Sequence, residues 1–221
     1  MTKTMKTFLA VNDEGEKPVI HIQGFIGSDW FIEGNTDTKV KRILDGLGDQ
    51  KEIDVVINSN GGDVFQGIAI GNLLKENKAK INMIINGIAA SAASIIAMAG
   101  DTIQIYSNAQ LMIHRASTFD GGNVDDFRRI ADQLDSIDKS VKASYMNRFN
   151  GSVDELQELL VAETFMDAET ALSKGLVDEI INDSASTEEP EEEKLLKEVQ
   201  AQREMRMAAF ANALEKTFGG E

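Results

Sequence analysis

The sequence predicts an α/β fold with parallel strands, and three observations carry that prediction. Short apolar runs at 53–58 (IDVVIN), 81–85 (INMII) and 102–106 (TIQIY) read as buried strands. Between the first two, Val64, Phe65, Ile68, Leu73 and Leu74 recur at helical spacing; between the second and third lies the apolar segment 89–99. Parallel strands need a crossover, usually a helix, so strand–helix–strand–helix–strand order favours a parallel sheet.

The remaining elements follow in order. Residues 1–17 are polar and patternless, a loose arm. Residues 18–22 (PVIHI) begin a strand, and 24–34, with the lone Trp30, reads as loop. Asn35 or Thr36 can cap a helix bearing Val40, Ile43, Leu44 and Leu47, which Gly48 stops. Asn60-Gly61-Gly62 reads as a sharp turn, and 111–113 as a strand joined to 102–106 by a turn at Ser107-Asn108. The clearest helix is 124–149, where Phe127, Ile130, Leu134, Ile137, Val141 and Tyr145 repeat every three or four residues. Asn123 can cap it, and Asn150-Gly151 ends it. Ser152 to Glu155 has the form of a capping box for a helix through Leu160. Asp167 caps another short helix, Gly175 stops it, and 176–181 is a last strand. Residues 183–193 are an acidic linker, with five glutamates and a proline from Ser184 onward. In 194–221, Leu196, Val199, Met207, Phe210, Leu214 and Phe218 form one apolar helical stripe, broken by Arg203. The expected organisation is therefore an arm (1–17), a folded domain (18–182), a linker and an amphipathic tail helix.

Composition narrows the function. There is no cysteine and only two histidines, so neither a disulfide framework nor a Cys- or His-rich metal site is expected, and no cofactor is implied. A formal charge of −15 argues against nucleic acid or an anionic membrane as partner. The longest apolar run, 89–99, is too short to span a bilayer and residues 1–8 lack a signal-peptide core. A soluble cytoplasmic protein is expected.

Three places can carry chemistry. Ser91 sits among alanines where a strand gives way to a helix; small neighbours admit a substrate backbone, and helix-start N–H groups suit an oxyanion. The competing role is a plain helix cap, and Ser94, one turn on, reads as a packing residue. Gly61-Gly62 ends in a helical pattern, so its N–H groups can face a ligand, although Asn-Gly also marks ordinary turns. His114 ends the run 111–113 and can serve as general base; a half-buried structural histidine is the alternative. His21 has no acid or serine motif beside it and reads as structural. A Ser–His pair needs an acid to orient the imidazole. Asp120, Asp125, Asp126, Glu163, Asp167 and Asp178 all follow His114, and local patterns do not choose among them.

Together these segments resemble the Clp protease proteolytic subunit family, and within it the phage prohead (head maturation) proteases. INSNGGDV is similar to the family's I-N-S-P-G-G-x-V, and NGIAASAAS to its G-x-A-A-S segment. LMIH is similar to its M-I-H, and ETFMDAETALSKGLVD to the segment holding its catalytic acid. The resemblance spans about 19–182. It implies a crotonase-like spiral of β-β-α units with a projecting handle helix, here 124–149, by which subunits form rings. It assigns Ser91 as nucleophile and His114 as base, with the N–H groups of Gly62 and Ala92 as oxyanion hole. The family's acid lies two residues before the phenylalanine, which is Glu163 here; Asp167 is the fallback. Asn60 replaces the proline of P-G-G, and Arg115-Ala116 replaces Gln-Pro after the histidine.

The function so implied is an ATP-independent serine endopeptidase. It is a homo-oligomer acting on phage scaffold and capsid proteins in the host cytoplasm or immature head, with no ATPase partner. Rivals are a Clp-type subunit fed by an unfoldase, an acyl-CoA hydratase or isomerase of the same fold, and a catalytically inactive assembly protein. The tail is expected to dock on the immature shell or scaffold, or to be removed by self-cleavage within 183–193.

Overall fold

A computed structural model describes residues 8–12, 17–28 and 33–182. The linker and tail helix expected beyond residue 182, and Trp30, lie outside the described residues. The chain runs β1 (Phe8–Asn12), β2 (Val19–Ile26), α1 (Asp37–Leu47), β3 (Glu52–Gly62), α2 (Val64–Glu76), β4 (Lys80–Ala90), α3 (Ala92–Ala97), β5 (Thr102–Tyr106) and β6 (Gln110–Ile113). Then come α4 (Val124–Met146), α5 (Val153–Val161), β7 (Thr164–Met166), α6 (Ala168–Ser173) and β8 (Glu179–Ile181).

The strands form one sheet, ordered β1-β2-β3-β4-β5-β8, with β6 branching from β4 and β7 pairing β6. Pairs β2–β3, β3–β4, β4–β5, β4–β6 and β5–β8 are parallel, as the alternation of strands and helices predicts. Strand β4 is long enough to serve two neighbours. Its first half pairs β5 through Asn82 to Ile85, and its second half pairs β6 through Ile88 to Ala90. Asn86-Gly87 lies at the fork, where a side chain at 87 would stand 2.6 Å from Asn58 Oδ1. The fork turns the end of β4 away from β5 and carries Ser91 out of the main sheet.

Three expectations are corrected. Residues 8–12 are not a loose arm but an edge strand antiparallel to β2. Asn60-Gly61-Gly62 is not a turn; it continues β3, with Gly61 and Gly62 paired to Phe25 and Ile26. The last strand shrinks to Glu179–Ile181, and β7, which no periodicity announces in three residues, appears beside β6.

The core is formed by inward residues of the parallel strands, including Ile20, Ile22, Val55, Ile57, Met83, Ile85, Ile103 and Ile105, all fully buried. Helix α2 covers it with Gly67, Ile70, Gly71 and Leu74. Gly67 lets α2 approach α3 backbone to backbone, since a Cβ there would lie 2.8 Å from Ala92 O. Every residue of the six-residue α3 is buried. Alone such a helix is too short to form; burial holds it. Thr36, Asp63, Asn123, Ser152 and Asp167 accept N–H bonds at their helix starts, so the expected caps are present and Asp63 adds one. Helix α4 buries only Asp138, Val141 and Tyr145, all in its second half. Its first turns stand clear, with Val124 and Phe127 exposed, as a handle would.

Candidate active site

Ser91 is the hinge between β4 and α3. Its φ of 55° is positive, a region that costs a non-glycine residue about 1–3 kcal/mol and that clusters at functional sites. Only one other non-glycine residue among those described shares it, Glu163 at φ 50°. Four bonds hold the Ser91 backbone: its N–H donates to Met112 O at 3.0 Å, and its carbonyl accepts Ser94 N–H at 3.0 Å, Ile95 N–H at 3.3 Å and the Ser94 hydroxyl at 2.6 Å. Ser91 occupies the cap position of α3 without capping it. Its Oγ lies instead 2.7 Å from His114 Nε2, a hydrogen bond of ordinary length.

Ser94 is more than a packing residue. It is fully buried, and its Oγ also lies 2.7 Å from the Tyr145 hydroxyl. A serine has one proton to give, and it goes to Ser91 O, so Tyr145 is the donor to Ser94. Burial pushes the Tyr145 hydroxyl well above the ordinary tyrosine range. Its folded pKa is raised, so the stability it contributes is present below about pH 10 and is lost as pH rises further. Tyr145→Phe is expected to cost about 1–2 kcal/mol at pH 7, by leaving Ser94 without its donor, and to lessen the loss above pH 10. Denaturant melts of both proteins at pH 7 and pH 10.5 check this.

Gly61 and Gly62 have φ of 95° and 152°. A Cβ at Gly61 would stand 2.7 Å from both Ser91 Cβ and Ala90 O, and one at Gly62 would stand 2.1 Å from Ile26 O. Glycine is therefore required by close approach, with Gly61 directly against the serine. Sequence reasoning singled out Gly62 and missed this role of Gly61. Ala92 opens α3, so its N–H has no partner within the helix.

His114 follows the last residue of β6. Strands β6 and β7 run antiparallel with Ile113 opposite Thr164, so the next position in that register sets His114 opposite Glu163. The Glu163 N–H donates to Leu160 O at 3.3 Å, closing the last turn of α5. Its side chain is exposed, and among the described residues no hydrogen bond joins its carboxylate to His114. Asp167 is engaged elsewhere: its Oδ1 accepts Thr170 N–H at 2.8 Å at the start of α6. Hydrogen bonding to Thr170 holds its carboxyl below the usual range. His21 lies in β2 opposite Val56, away from the pair, as its structural reading expects.

Ser91 and His114 open onto a cavity of about 260 Å³, with Gly62 and Ala92 at the same wall. Its apolar lining includes Ile95 of α3 and Leu134, Ile137 and Val141 of α4. Sequence periodicity placed these α4 residues on one face but not against Ser91.

A serine hydroxyl bonded to an imidazole, on a strained elbow at the end of parallel strands, has the form of the nucleophile–base pair of a serine hydrolase. The Clp protease family model matches residues 36–184 of this chain. An ATP-dependent Clp protease proteolytic subunit from Deinococcus radiodurans is 30% identical over 152 residues, covering 68% of this chain and 74% of the relative. A solved ClpP1 variant from Listeria monocytogenes superposes with a TM-score of 0.65 at 21% identity, covering 75% of this chain and 91% of that one. The chain belongs to the Clp protease family. The family and the α/β fold expected from the motifs are thus met.

Proposed function

We propose that this protein is a serine endopeptidase working by acyl transfer through Ser91, His114 and Glu163. The observation that carries this is the 2.7 Å contact between Ser91 Oγ and His114 Nε2 at the strained elbow. His114 takes the hydroxyl proton as Ser91 attacks a peptide carbonyl. The N–H groups of Gly62 and Ala92 receive the oxyanion. The imidazolium returns its proton to the leaving amine, and water repeats the cycle to free the acyl group. Glu163 supplies the acid. Register sets it opposite His114, its positive φ marks it out, and its side chain is one methylene longer than aspartate. Glu163→Gln is expected to lower kcat by about 10²- to 10⁴-fold, whereas Asp167→Asn, which keeps a capping oxygen, leaves kcat within about twofold. Steady-state kinetics on a fluorogenic peptide check both; the reverse order would move the acid to Asp167.

The biological setting proposed is phage head maturation, with a homo-oligomeric ring cutting scaffold and capsid proteins without an ATPase. Its support is the acidic linker and amphipathic tail that follow residue 182 in the sequence. Cleavage of an unfolded protein substrate by the purified chain, with no ATPase added, tests the independence. A strictly monomeric state by light scattering at micromolar concentration would reject the ring. Self-cleavage within 183–193 predicts that aged active protein loses mass while Ser91→Ala does not; identical intact masses would reject it. One observation favours an inactive assembly protein instead: the Glu163 carboxylate makes no bond to His114. A fluorophosphonate probe separates the two. Labelling of wild type but not of Ser91→Ala supports the peptidase, and no labelling in any assembly state supports the assembly role.

A further inference from the structure

Arg115-Ala116, which stands where the family pattern has Gln-Pro, has no task in the chemistry above. The structure gives the pair one. Asp138, on α4, is 5% exposed. Its Oδ1 accepts Ala116 N–H at 2.8 Å, and its Oδ2 accepts the Arg115 Nε–H. Arg115 Nη2 reaches on to the exposed Asp135 at 2.7 Å, and the Arg115 backbone N–H donates to Leu160 O at 3.2 Å. A buried carboxylate is retained only where its charge is neutralised and its lone pairs are filled. Arg115 and Ala116 do both. A proline at 116 has no N–H to offer and a glutamine at 115 has no charge, so the arrangement needs a cation at 115 and a residue other than proline at 116.

The consequence falls on the neighbouring histidine. On one side of His114 the backbone is fixed in β6, where Ile113 pairs with Thr164. On the other side residues 115 and 116 are tied to α5 at Leu160 and to α4 at Asp138. Seven residues past Asp138, two turns along the same face of α4, Tyr145 holds Ser94 and through it the carbonyl of Ser91. One rigid helix thus sets both ends of the 2.7 Å contact.

We propose that Asp138 is a positioning residue: through Arg115 and Ala116 it locks His114 onto α4 at hydrogen-bond distance from Ser91. The proposal rests on the Ser91–His114 peptidase reading for its kinetic consequence, not for its geometric one.

The test compares Asp138→Asn, Ala116→Pro and, as a control for charge on the same helix, the exposed Asp132→Asn. Each is assayed for kcat and KM on a fluorogenic peptide, for assembly by light scattering and for melting, and crystal structures are solved of wild type and Asp138→Asn. Displacing a catalytic group by about 1 Å can cost about 10²-fold, so Asp138→Asn is expected to lower kcat by about 10- to 100-fold with KM within about threefold. Assembly is unchanged, and the His114 Nε2 to Ser91 Oγ distance opens beyond about 3.5 Å. Ala116→Pro keeps the charges and removes one N–H; a smaller loss of kcat, about 3- to 10-fold, is expected, and it serves if Asp138→Asn does not fold. Asp132→Asn leaves kcat within about twofold, as surface substitutions do. Wild-type kcat in a folded Asp138→Asn overturns the proposal, as does wild-type kcat in Ala116→Pro when Asp138→Asn does not fold. So does a loss explained wholly by disassembly or unfolding. If wild type neither labels nor cleaves, the peptidase reading fails by itself. The Nε2–Oγ distance in the variant crystal then decides the positioning role: opened, it stands; unchanged, it falls.

Discussion

Replacing Ser91 by alanine is expected to lower peptidase kcat by about 10⁴-fold or more, and His114→Ala by a similar factor. The two losses should not multiply in the double variant. Hydroxyl and imidazole share one 2.7 Å hydrogen bond and act as a unit, so removing either leaves only binding and the oxyanion donors. Ser91→Ala should not destabilise the fold. Its Oγ makes no cap bond to α3, and alanine relieves none of the backbone contacts to Met112 and Ser94. Unchanged melting with lost activity is the expected signature. Ser94→Ala should behave differently. It strands the Tyr145 hydroxyl inside the core and removes one of the bonds to the Ser91 carbonyl, which keeps the N–H groups of residues 94 and 95, so it should cost about 1–3 kcal/mol of stability and also reduce kcat. Chemical denaturation and fluorophosphonate labelling of the two variants distinguish a missing nucleophile from a displaced one. Wild-type labelling of Ser91→Ala would sink the assignment outright.

Gly61→Ala is the second large effect. The new methyl group would meet Ser91 Cβ and Ala90 O at 2.7 Å and Ala92 N at 3.0 Å, all parts of the β4–α3 elbow. None is the end of a flexible chain, so the elbow itself must move, and a φ of 95° adds strain that no relaxation removes. A loss of at least about 2 kcal/mol is expected. For a domain of this size that lowers Tm by about 4–8 °C. Probe labelling should fall below detection, because the elbow carries both the nucleophile and the N–H of Ala92. Gly71→Ala provides the contrast. It lies within α2, and a Cβ there finds its nearest neighbour at 3.7 Å, ordinary contact. That substitution should stabilise by about 0.5–1 kcal/mol, the helical preference of alanine over glycine, with activity retained. Equal Tm for Gly61→Ala and wild type would show that the β3 end yields more readily than its packing implies.

Much of this site was legible before any coordinates. Small residues around Ser91, the glycine pair and a histidine closing an apolar run were visible one by one, and their order tied them to one family. Other parts were not. The run at 60–62 looked like a turn because Asn-Gly-Gly suits one, yet pairing with Phe25 and Ile26 holds it extended. Strand β7 is three residues long, too short for any period to register. Ser94 looked like packing because nothing in its neighbourhood announces Tyr145, 51 residues away. Arg115 and Asp138 lie 23 residues apart with no local pattern to pair them, and Asp138 is buried against that partner.

By itself the sequence determined the α/β class and the order of most elements, and it singled out Ser91 and His114 as the candidate serine and histidine. These follow from local periods of burial and from residue types that only certain chemistries use. The tertiary structure alone decided that β4 forks and that Ser91 meets His114 across 23 residues. It also decided that Asp167 caps a helix while register brings Glu163 opposite the histidine, and that α4 braces both halves of the pair. Those facts depend on strand register and long-range packing. A one-residue slip would leave every local pattern intact and destroy every one of these contacts.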